Sequence, residues 1–214
     1  MGKKTEKLLS ILQAQPVVPV LQVDEADKAV PLARALVAGG LKAIEITLRT
    51  AAALDAIKAV ADAVDGAEVG AGTILNAAQF KAAVAAGSKF VVSPGTTQEI
   101  LDVAARSDVP MLPGAATPSE IMALREEGYS VLKFFPAEQA GGVAYLKALA
   151  SPLSGISFCP TGGITLQTAP DYLALPNVIC VGGSWVAPNN LIEAGDWKTI
   201  TALAAQACGL ANGQ

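Results

Sequence analysis

Short β-rich apolar runs recur along the chain, separated by alanine-rich stretches with helical periodicity. Helix C-cap signals such as Ala38–Gly40 lead from these stretches into the next run. The pattern therefore predicts eight β-α units, with an additional helix over Glu6–Gln13 before the first strand. The predicted strands are Pro16–Val23, Ala43–Arg49, Glu68–Ile74, Phe90–Gly95, Val109–Ala115, Val131–Ala137, Ser157–Gly163 and Val178–Val186.

The units follow one another without a linker, a composition break or a polar tail. This organisation predicts an α/β fold with one domain over residues 1–214, a single (β/α)8 TIM barrel with an extra N-terminal helix. The alternative is an open, doubly wound sheet. No Gly-x-Gly-x-x-Gly loop follows the first predicted strand, and Gly70-Ala71-Gly72 at the third strand lacks the remaining glycine, which favours the barrel.

Composition narrows the function classes. Hydrophobic residues make up 52% of the 214 residues and charged residues 16%, which is typical of a large core and not of a disordered chain. The net charge is −4 with no basic stripe, so we expect no nucleic-acid partner. Apolar runs are too short to span a bilayer, and Met1–Glu6 lacks an apolar signal core. We expect a cytoplasmic protein with no membrane partner.

The chain contains no histidine, which restricts its possible chemistry. Ser-His-Asp and Cys-His catalysis and every zinc site that requires imidazole are excluded. The three cysteines, Cys159, Cys180 and Cys208, are widely spaced, and the first two fall in apolar strands as small core residues would. Acid–base chemistry must therefore come from Glu, Asp, Lys, Tyr or water.

Lys133 lies inside the apolar run Val131–Pro136. A lysine in such a run either extends its amine to water from an edge strand or keeps it in a largely dry place. A desolvated amine loses its proton more easily, and a neutral amine is a nucleophile that forms a Schiff base with carbonyl substrates. The run alone leaves both interpretations open.

The second predicted strand alternates Ile44, Ile46 and Leu48 with Glu45, Thr47 and Arg49, so Glu45 and Arg49 are expected to point into the barrel. One interpretation is a structural ion pair with Lys133. In the other, Lys133 is the reactive amine, Glu45 carries protons, and the guanidinium of Arg49 binds a substrate carboxylate.

Paired glycines end the last two predicted strands. Thr161-Gly162-Gly163 and Gly182-Gly183-Ser184 occupy the positions where barrels of this class often bind phosphate. Glycine lets backbone N–H groups approach an anion, and the Ser184 hydroxyl can donate a hydrogen bond. Together the two pairs indicate a phosphate site, although either pair alone could be a turn.

These motifs together resemble those of the bacterial 2-keto-3-deoxy-6-phosphogluconate (KDPG) aldolases. The segments that carry the resemblance are Pro16–Val20, Glu45–Thr50, Val69–Thr73, Ser93–Gly95, Lys133–Glu138, Phe158–Ile164 and Gly182–Trp185. The resemblance implies a (β/α)8 barrel, a homotrimer and class I aldol chemistry without a metal or another cofactor.

The resemblance also implies roles for individual residues. Lys133 matches the Schiff-base lysine and Glu45 the acid/base, while Arg49 and Thr73 match contacts to the pyruvate carboxylate. Thr161, Gly162, Gly163 and Ser184 match positions that line the part of the site for the hydroxyl groups and phosphate of the substrate. The predicted substrate site is completed by Pro94, Phe135 and Gly183.

The implied reaction is cleavage of 2-dehydro-3-deoxy-6-phospho-D-gluconate to pyruvate and D-glyceraldehyde 3-phosphate in the Entner–Doudoroff pathway, with side activity on 4-hydroxy-2-oxoglutarate. Two alternatives stay open: a sugar-phosphate epimerase or isomerase barrel, and a non-catalytic sugar-phosphate binder in which Lys133 is only a charge partner. The epimerase or isomerase alternative does not require a buried lysine on the sixth strand.

Overall fold

The structure is a computed structural model and describes residues 2–210. Strands form within all eight predicted segments, although most are shorter than predicted. The strands are β1 (Val17–Leu21), β2 (Ala43–Thr47), β3 (Glu68–Gly72), β4 (Phe90–Val92), β5 (Met111–Leu112), β6 (Gly114–Ala115), β7 (Val131–Phe134), β8 (Ser157–Pro160) and β9 (Val181–Gly183).

Helices alternate with the strands, and a short 3-10 helix (Ala26–Lys28) precedes α2. The helices are α1 (Lys3–Leu12), α2 (Ala29–Ala38), α3 (Ala53–Ala63), α4 (Ala77–Ala85), α5 (Gln98–Ala105), α6 (Pro118–Glu126), α7 (Gly142–Leu149), α8 (Ala169–Leu173), α9 (Asn189–Ala194) and α10 (Trp197–Cys208). The predicted first helix, Glu6–Gln13, corresponds to α1, which begins three residues before the predicted start.

The hydrogen-bonded pairs between named strands are parallel. One sheet has the order β5-β4-β3-β2-β1-β9 and the other the order β6-β7-β8. The predicted strand Val109–Ala115 is divided at Pro113, which has no backbone N–H to donate to a neighbouring strand. An isolated parallel bridge between Thr161 and Gly182 joins the end of β8 to β9. The predicted α/β class with parallel strands is therefore confirmed.

Two apolar clusters lie on opposite faces of the strands. Val17 packs in the larger cluster with helix residues such as Leu32, whereas its neighbour Val18 packs in a second, inner cluster. This inner cluster also contains Leu8, Ile11 and Leu12 of α1, together with Ala43, Phe90, Val92, Leu112, Val131, Cys159 and Cys180. Helix α1 therefore covers the strand face that the other helices do not.

Lys4 fixes α1 to the end of α5. Its Nζ donates hydrogen bonds to the carbonyl oxygens of Ala104, Ala105 and Ser107 at 2.9, 3.1 and 3.1 Å. The first two carbonyls are at the end of α5 and the third just follows it, and acceptors at a helix end lack intrahelical partners and favour a nearby cation.

The packing of α1 predicts a large stability effect at Leu12, which is fully buried. Leu12→Ala should lower the free energy of unfolding by about 2–5 kcal/mol, because it removes buried methyl groups and leaves a cavity. Urea denaturation at a fixed protein concentration measures the change. Lys7→Ala, an exposed position on the same helix, is the control and should change stability by less than about 0.5 kcal/mol. Equal stability of the two variants would contradict the packing of α1.

Candidate active site

Lys133 and Glu45 meet inside the protein. Lys133 is the third residue of β7 and Glu45 the third of β2, and both side chains are at least 95% buried. The Lys133 Nζ lies 3.3 Å from Glu45 Oε1. Strand β7 pairs with β6 on one side and β8 on the other, so the interpretation of Lys133 as a solvent-facing residue on an edge strand is wrong.

A glycine on the neighbouring strand makes room for this carboxylate. Gly72 on β3 lies in register with Thr47, and a Cβ at position 72 would collide with the Glu45 carboxyl group. In the sequence, Gly70-Ala71-Gly72 resembles an incomplete dinucleotide-binding loop and forms part of a family motif, and neither pattern indicates this contact. Two residues on different strands must be placed in space before the contact can be recognised.

Arg49 does not lie where the strand pattern predicted. Strand β2 ends at Thr47, and Arg49 follows it as an exposed residue at the mouth of the site, so its predicted place on an inward strand face is wrong. The strand ends because the Arg49 backbone N–H donates to the Thr47 carbonyl at 2.8 Å and turns the chain. The side chain still converges on the site, since Arg49 Nε donates to Thr73 Oγ1 at 3.3 Å.

Thr73 has an unusual backbone conformation. Its φ of 58° lies in the left-handed region, which is unfavourable for a β-branched residue and costs about 1–3 kcal/mol. The segment is held by hydrogen bonds on either side, from Leu48 N–H to the Gly72 carbonyl and from Ile74 N–H to the Val92 carbonyl. The strained conformation is therefore imposed by the strand ends, and it places the hydroxyl beside Arg49.

A cavity of about 540 Å³ opens at the carboxyl ends of the strands. Seven of the predicted site residues line it: Arg49, Phe135, Thr161, Gly162, Gly163, Gly183 and Ser184. Among residues 2–210 the lining does not include Lys133, Glu45, Thr73 or Pro94. Lys133 Nζ lies 5.4 Å from the centre of the Phe135 ring, so the amine sits close behind the cavity wall. Pro94 follows β4 at the same edge of the sheet.

The two pairs of glycines, Gly162–Gly163 and Gly182–Gly183, are required for different structural reasons. Gly162 and Gly163 adopt φ values of 107° and 78°, which residues with a side chain rarely adopt. Gly182 and Gly183 instead give room to neighbours, because a Cβ would strike the side chain of Thr161 at the former and the ring of Trp185 at the latter. Backbone groups at both loops can therefore approach a ligand closely.

The cavity also contains polar side chains that sequence reasoning missed, Gln22 and Asn189. Gln22 comes directly after β1, and Asn189 begins α9. A signal was available for Gln22, since it lies next to the last residue of the predicted strand Pro16–Val23, at the same sheet edge as the other site residues. Asn189 lies beyond the last recognised motif, and no pattern in the sequence identified it.

Cys159 and Cys180 are buried in the inner cluster, as predicted for core cysteines. A hydrogen bond with Cys159 and burial raise the pKa of the Cys180 thiol well above its ordinary value, so this thiol stays protonated. Within residues 2–210, no group of three or more Cys, Asp or Glu residues is arranged to hold a metal ion. None of the described helices is long and apolar enough to cross a membrane.

The family model for KDPG and KHG aldolases matches residues 8–203 of the chain. The chain belongs to this aldolase family. The 2-dehydro-3-deoxy-phosphogluconate aldolase of Pseudoalteromonas atlantica is 51% identical over 198 residues, which are 92% of each chain. The KHG/KDPG aldolase of Escherichia coli is 50% identical over 92% of this chain and 93% of its own.

Solved aldolase structures have the same fold. The KDPG aldolase of Legionella pneumophila, with pyruvate captured as a covalent carbinolamine intermediate, is 42% identical and has a TM-score of 0.92 over 94% of this chain and 97% of its own. The Zymomonas mobilis enzyme with 3-phosphoglycerate is 46% identical, with a TM-score of 0.91 over 96% and 97% of the two chains.

Proposed function

We propose that this protein is a class I aldolase that cleaves 2-dehydro-3-deoxy-6-phospho-D-gluconate to pyruvate and D-glyceraldehyde 3-phosphate. The observation that carries the proposal is the buried Lys133 amine, 3.3 Å from the Glu45 carboxylate and close behind the wall of a cavity. Relatives that are about half identical over most of their length carry this activity in their names.

The reaction begins with attack of the neutral Lys133 amine on the C2 ketone of the substrate. The C2–N bond forms, the ketone oxygen takes the proton that Lys133 first gave to Glu45, and the bound amine then passes a second proton to Glu45 directly or through water. The hydroxyl group of the resulting carbinolamine takes this second proton and leaves as water, so a protonated imine forms and Glu45 is again a carboxylate. The Legionella pneumophila relative, with its captured carbinolamine, supports this first intermediate.

Cleavage then uses the imine as an electron sink. Glu45 removes the proton of the C4 hydroxyl, the C3–C4 bond breaks, and its electron pair moves into the imine to form an enamine. D-Glyceraldehyde 3-phosphate leaves. Glu45 returns a proton to C3, and water hydrolyses the imine to release pyruvate and the free amine. Because the protonated imine accepts the electrons, the step needs no metal ion.

The remaining site residues would orient the substrate. Arg49 and the Thr73 hydroxyl bind the carboxylate of the pyruvate half, with Pro94 and Phe135 beside it. Thr161 contacts a hydroxyl group, and backbone N–H groups of Gly162, Gly163 and Gly183 with the Ser184 hydroxyl bind the phosphate. Arg49, Phe135 and the residues of the two glycine loops line one cavity, and Thr73 accepts a hydrogen bond from Arg49, which supports these roles.

We extend the proposal to the closure of the barrel, the extent of the domain, the oligomeric state and the cellular compartment. Pairing of β1 with β9, the Thr161–Gly182 bridge and the shared run of β5 and β6 support one closed (β/α)8 barrel with α1 as an extra N-terminal helix. We assign residues 1–214 to one domain, of which Met1 and residues 211–214 lie outside the described part. A cytoplasmic homotrimer in the Entner–Doudoroff pathway follows from the family resemblance.

A second substrate, 4-hydroxy-2-oxoglutarate, is favoured by the name of the Escherichia coli relative, a KHG/KDPG aldolase. This substrate retains the pyruvate half and lacks the phosphate, so it uses Lys133, Glu45 and Arg49 but not the glycine loops. Cleavage of both compounds, followed by detection of pyruvate, tests the proposed function directly. Release of pyruvate from neither compound would leave the epimerase or binding-protein alternatives.

The phosphate end predicts a substrate-specific effect at Ser184, an exposed residue of the cavity wall. Ser184→Ala should raise KM for the phosphorylated substrate by roughly ten- to a hundredfold, because a hydrogen bond to a charged group contributes about 1.5–3 kcal/mol. Steady-state kinetics on both substrates measure the change, with Ser154→Ala in the loop before β8 as the matched control. Equal losses on both substrates would mean that Ser184 acts at the reacting centre or in the fold.

A further inference from the structure

A tyrosine behind the phosphate end makes a hydrogen bond that no step of the reaction uses. Tyr172 lies on α8 with its side chain buried, and its hydroxyl donates to Glu138 Oε1 at 2.5 Å. Glu138 lies in the segment that follows β7 and is otherwise exposed. The bond therefore joins α8 to the loop that carries Phe135.

Glu138 is packed against the turn that lines the cavity. A Cβ at Gly163 would lie 2.7 Å from Glu138 Cγ and 2.8 Å from Glu138 Cβ, so the side-chain stem of Glu138 rests directly on the Gly163 backbone. The backbone N–H of Glu138 donates to the Gly162 carbonyl at 3.1 Å, and that of Ala137 donates to the Thr161 carbonyl at 2.8 Å. Any displacement of Glu138 must therefore shift the backbone of Gly162 and Gly163.

The position of Tyr172 is itself well defined. A Cβ at Gly142, the first residue of α7, would lie 3.2 Å from the Tyr172 hydroxyl, so the absence of a side chain at this position makes room for the hydroxyl. Burial and the hydrogen bond to Glu138 raise the pKa of Tyr172 above its ordinary value, which keeps the phenol a donor. The carboxylate is thereby held by a neutral donor, while its side-chain stem packs against Gly163.

We propose that Tyr172 and Glu138 form a clamp, defined by these two residues, that positions the Gly162–Gly163 turn for the substrate phosphate. The inference rests on the proposed function and deepens it, because it assigns positioning residues to the phosphate end. Within residues 2–210, Glu138 is not one of the residues that line the cavity. Its anchoring matters because a carboxylate that swung toward the cavity would repel a bound phosphate.

The first test is Tyr172→Phe, which removes the hydroxyl and keeps the buried ring. KM for 2-dehydro-3-deoxy-6-phospho-D-gluconate should rise by about five- to twentyfold, because a hydrogen bond to a charged group is lost and the turn is released. The value of kcat should change by less than about twofold, since Lys133 and Glu45 are untouched. KM for 4-hydroxy-2-oxoglutarate should stay within about twofold, because that substrate makes no phosphate contact.

Variants of Glu138 test the same hydrogen bond from its acceptor side. Glu138→Gln keeps an amide oxygen that accepts from Tyr172, so its KM should remain near that of the unchanged protein. Glu138→Ala should reproduce Tyr172→Phe, and the double variant should be no worse than either single variant, because both remove one interaction. As position 138 is exposed, Glu138→Ala tests the clamp even where Tyr172→Phe folds poorly. Tyr129→Phe, at the opposite end of β7, is the matched control.

Calorimetric binding of 3-phosphoglycerate separates the clamp from the proposed reaction, since it needs no turnover. Tyr172→Phe and Glu138→Ala should weaken this binding by the same factor as KM, whereas Glu138→Gln should not. Unchanged binding in Tyr172→Phe, absent binding in the unchanged protein, or equal KM changes on both substrates would each overturn the clamp. Loss of cleavage with retained, clamp-dependent binding would instead overturn the proposed reaction.

Discussion

Lys133→Ala is expected to abolish cleavage of both substrates, lowering kcat/KM by roughly 10⁴- to 10⁶-fold, as removal of a nucleophile does. The reason is that the neighbouring carboxylate, the Arg49 contact and the cavity remain, but the group that forms the imine is gone. Steady-state release of pyruvate measures the loss. Lys147→Ala, an exposed lysine on α7, is the control and should keep full activity.

The structure adds a stability effect to this variant. Without Lys133, Glu45 is left buried without its cation, and breaking such a pair costs about 3–5 kcal/mol of folding free energy. The double variant Lys133→Met/Glu45→Gln removes both charges and should recover much of that stability while staying inactive. Activity near that of the unchanged protein in either variant would contradict the mechanism.

Glu45→Gln is expected to lower kcat by about 10²–10⁴-fold, because a positioned acid–base group contributes that much to proton transfer. The amide has nearly the same shape, so it should fit the space beside Gly72. Single-turnover kinetics distinguish the steps: the imine with pyruvate should still form, while carbon–carbon cleavage should be slow. Glu68→Gln, exposed at the start of β3, is the matched control.

A Glu45→Gln variant that turns over at nearly the normal rate would leave Glu45 as no more than a charge partner of Lys133. That outcome would favour the structural ion pair, which sequence reasoning could not distinguish from the catalytic arrangement. Both interpretations require the same contact between Nζ and Oε1, so geometry alone does not separate them.

The positions of the strands could be predicted because runs of apolar and β-branched residues alternate with helical periodicity. The ends of the strands could not be predicted, because an end depends on backbone hydrogen bonds that the apolar pattern does not specify. Arg49 illustrates the difference: its place in an alternating pattern predicted an inward strand residue, but a backbone turn after Thr47 puts it at the mouth of the site. The convergence on Thr73 was nevertheless anticipated from the family motifs.

Contacts between distant residues were beyond the reach of pattern reasoning. Gly72 leaves room for Glu45, and Gly183 leaves room for the Trp185 ring. The Tyr172 hydroxyl donates to Glu138. In the second and third of these contacts, as in the first, the residues come close only in the folded chain. The covering of the inner cluster by α1 is similar, since an amphipathic helix does not specify which apolar face it meets. The catalytic and binding roles of the site residues stay predictions, because they concern a bound substrate.

The central claim is a covalent imine on Lys133, and reductive trapping tests it most directly. The protein is incubated with pyruvate and sodium borohydride, digested, and mapped by mass spectrometry, with Glu45→Gln and Lys133→Ala treated in parallel. We predict a stable pyruvate-derived adduct on Lys133 in the unchanged protein and in Glu45→Gln, and none in Lys133→Ala. An adduct on another lysine, or no adduct under conditions in which the protein cleaves its substrate, would contradict the account.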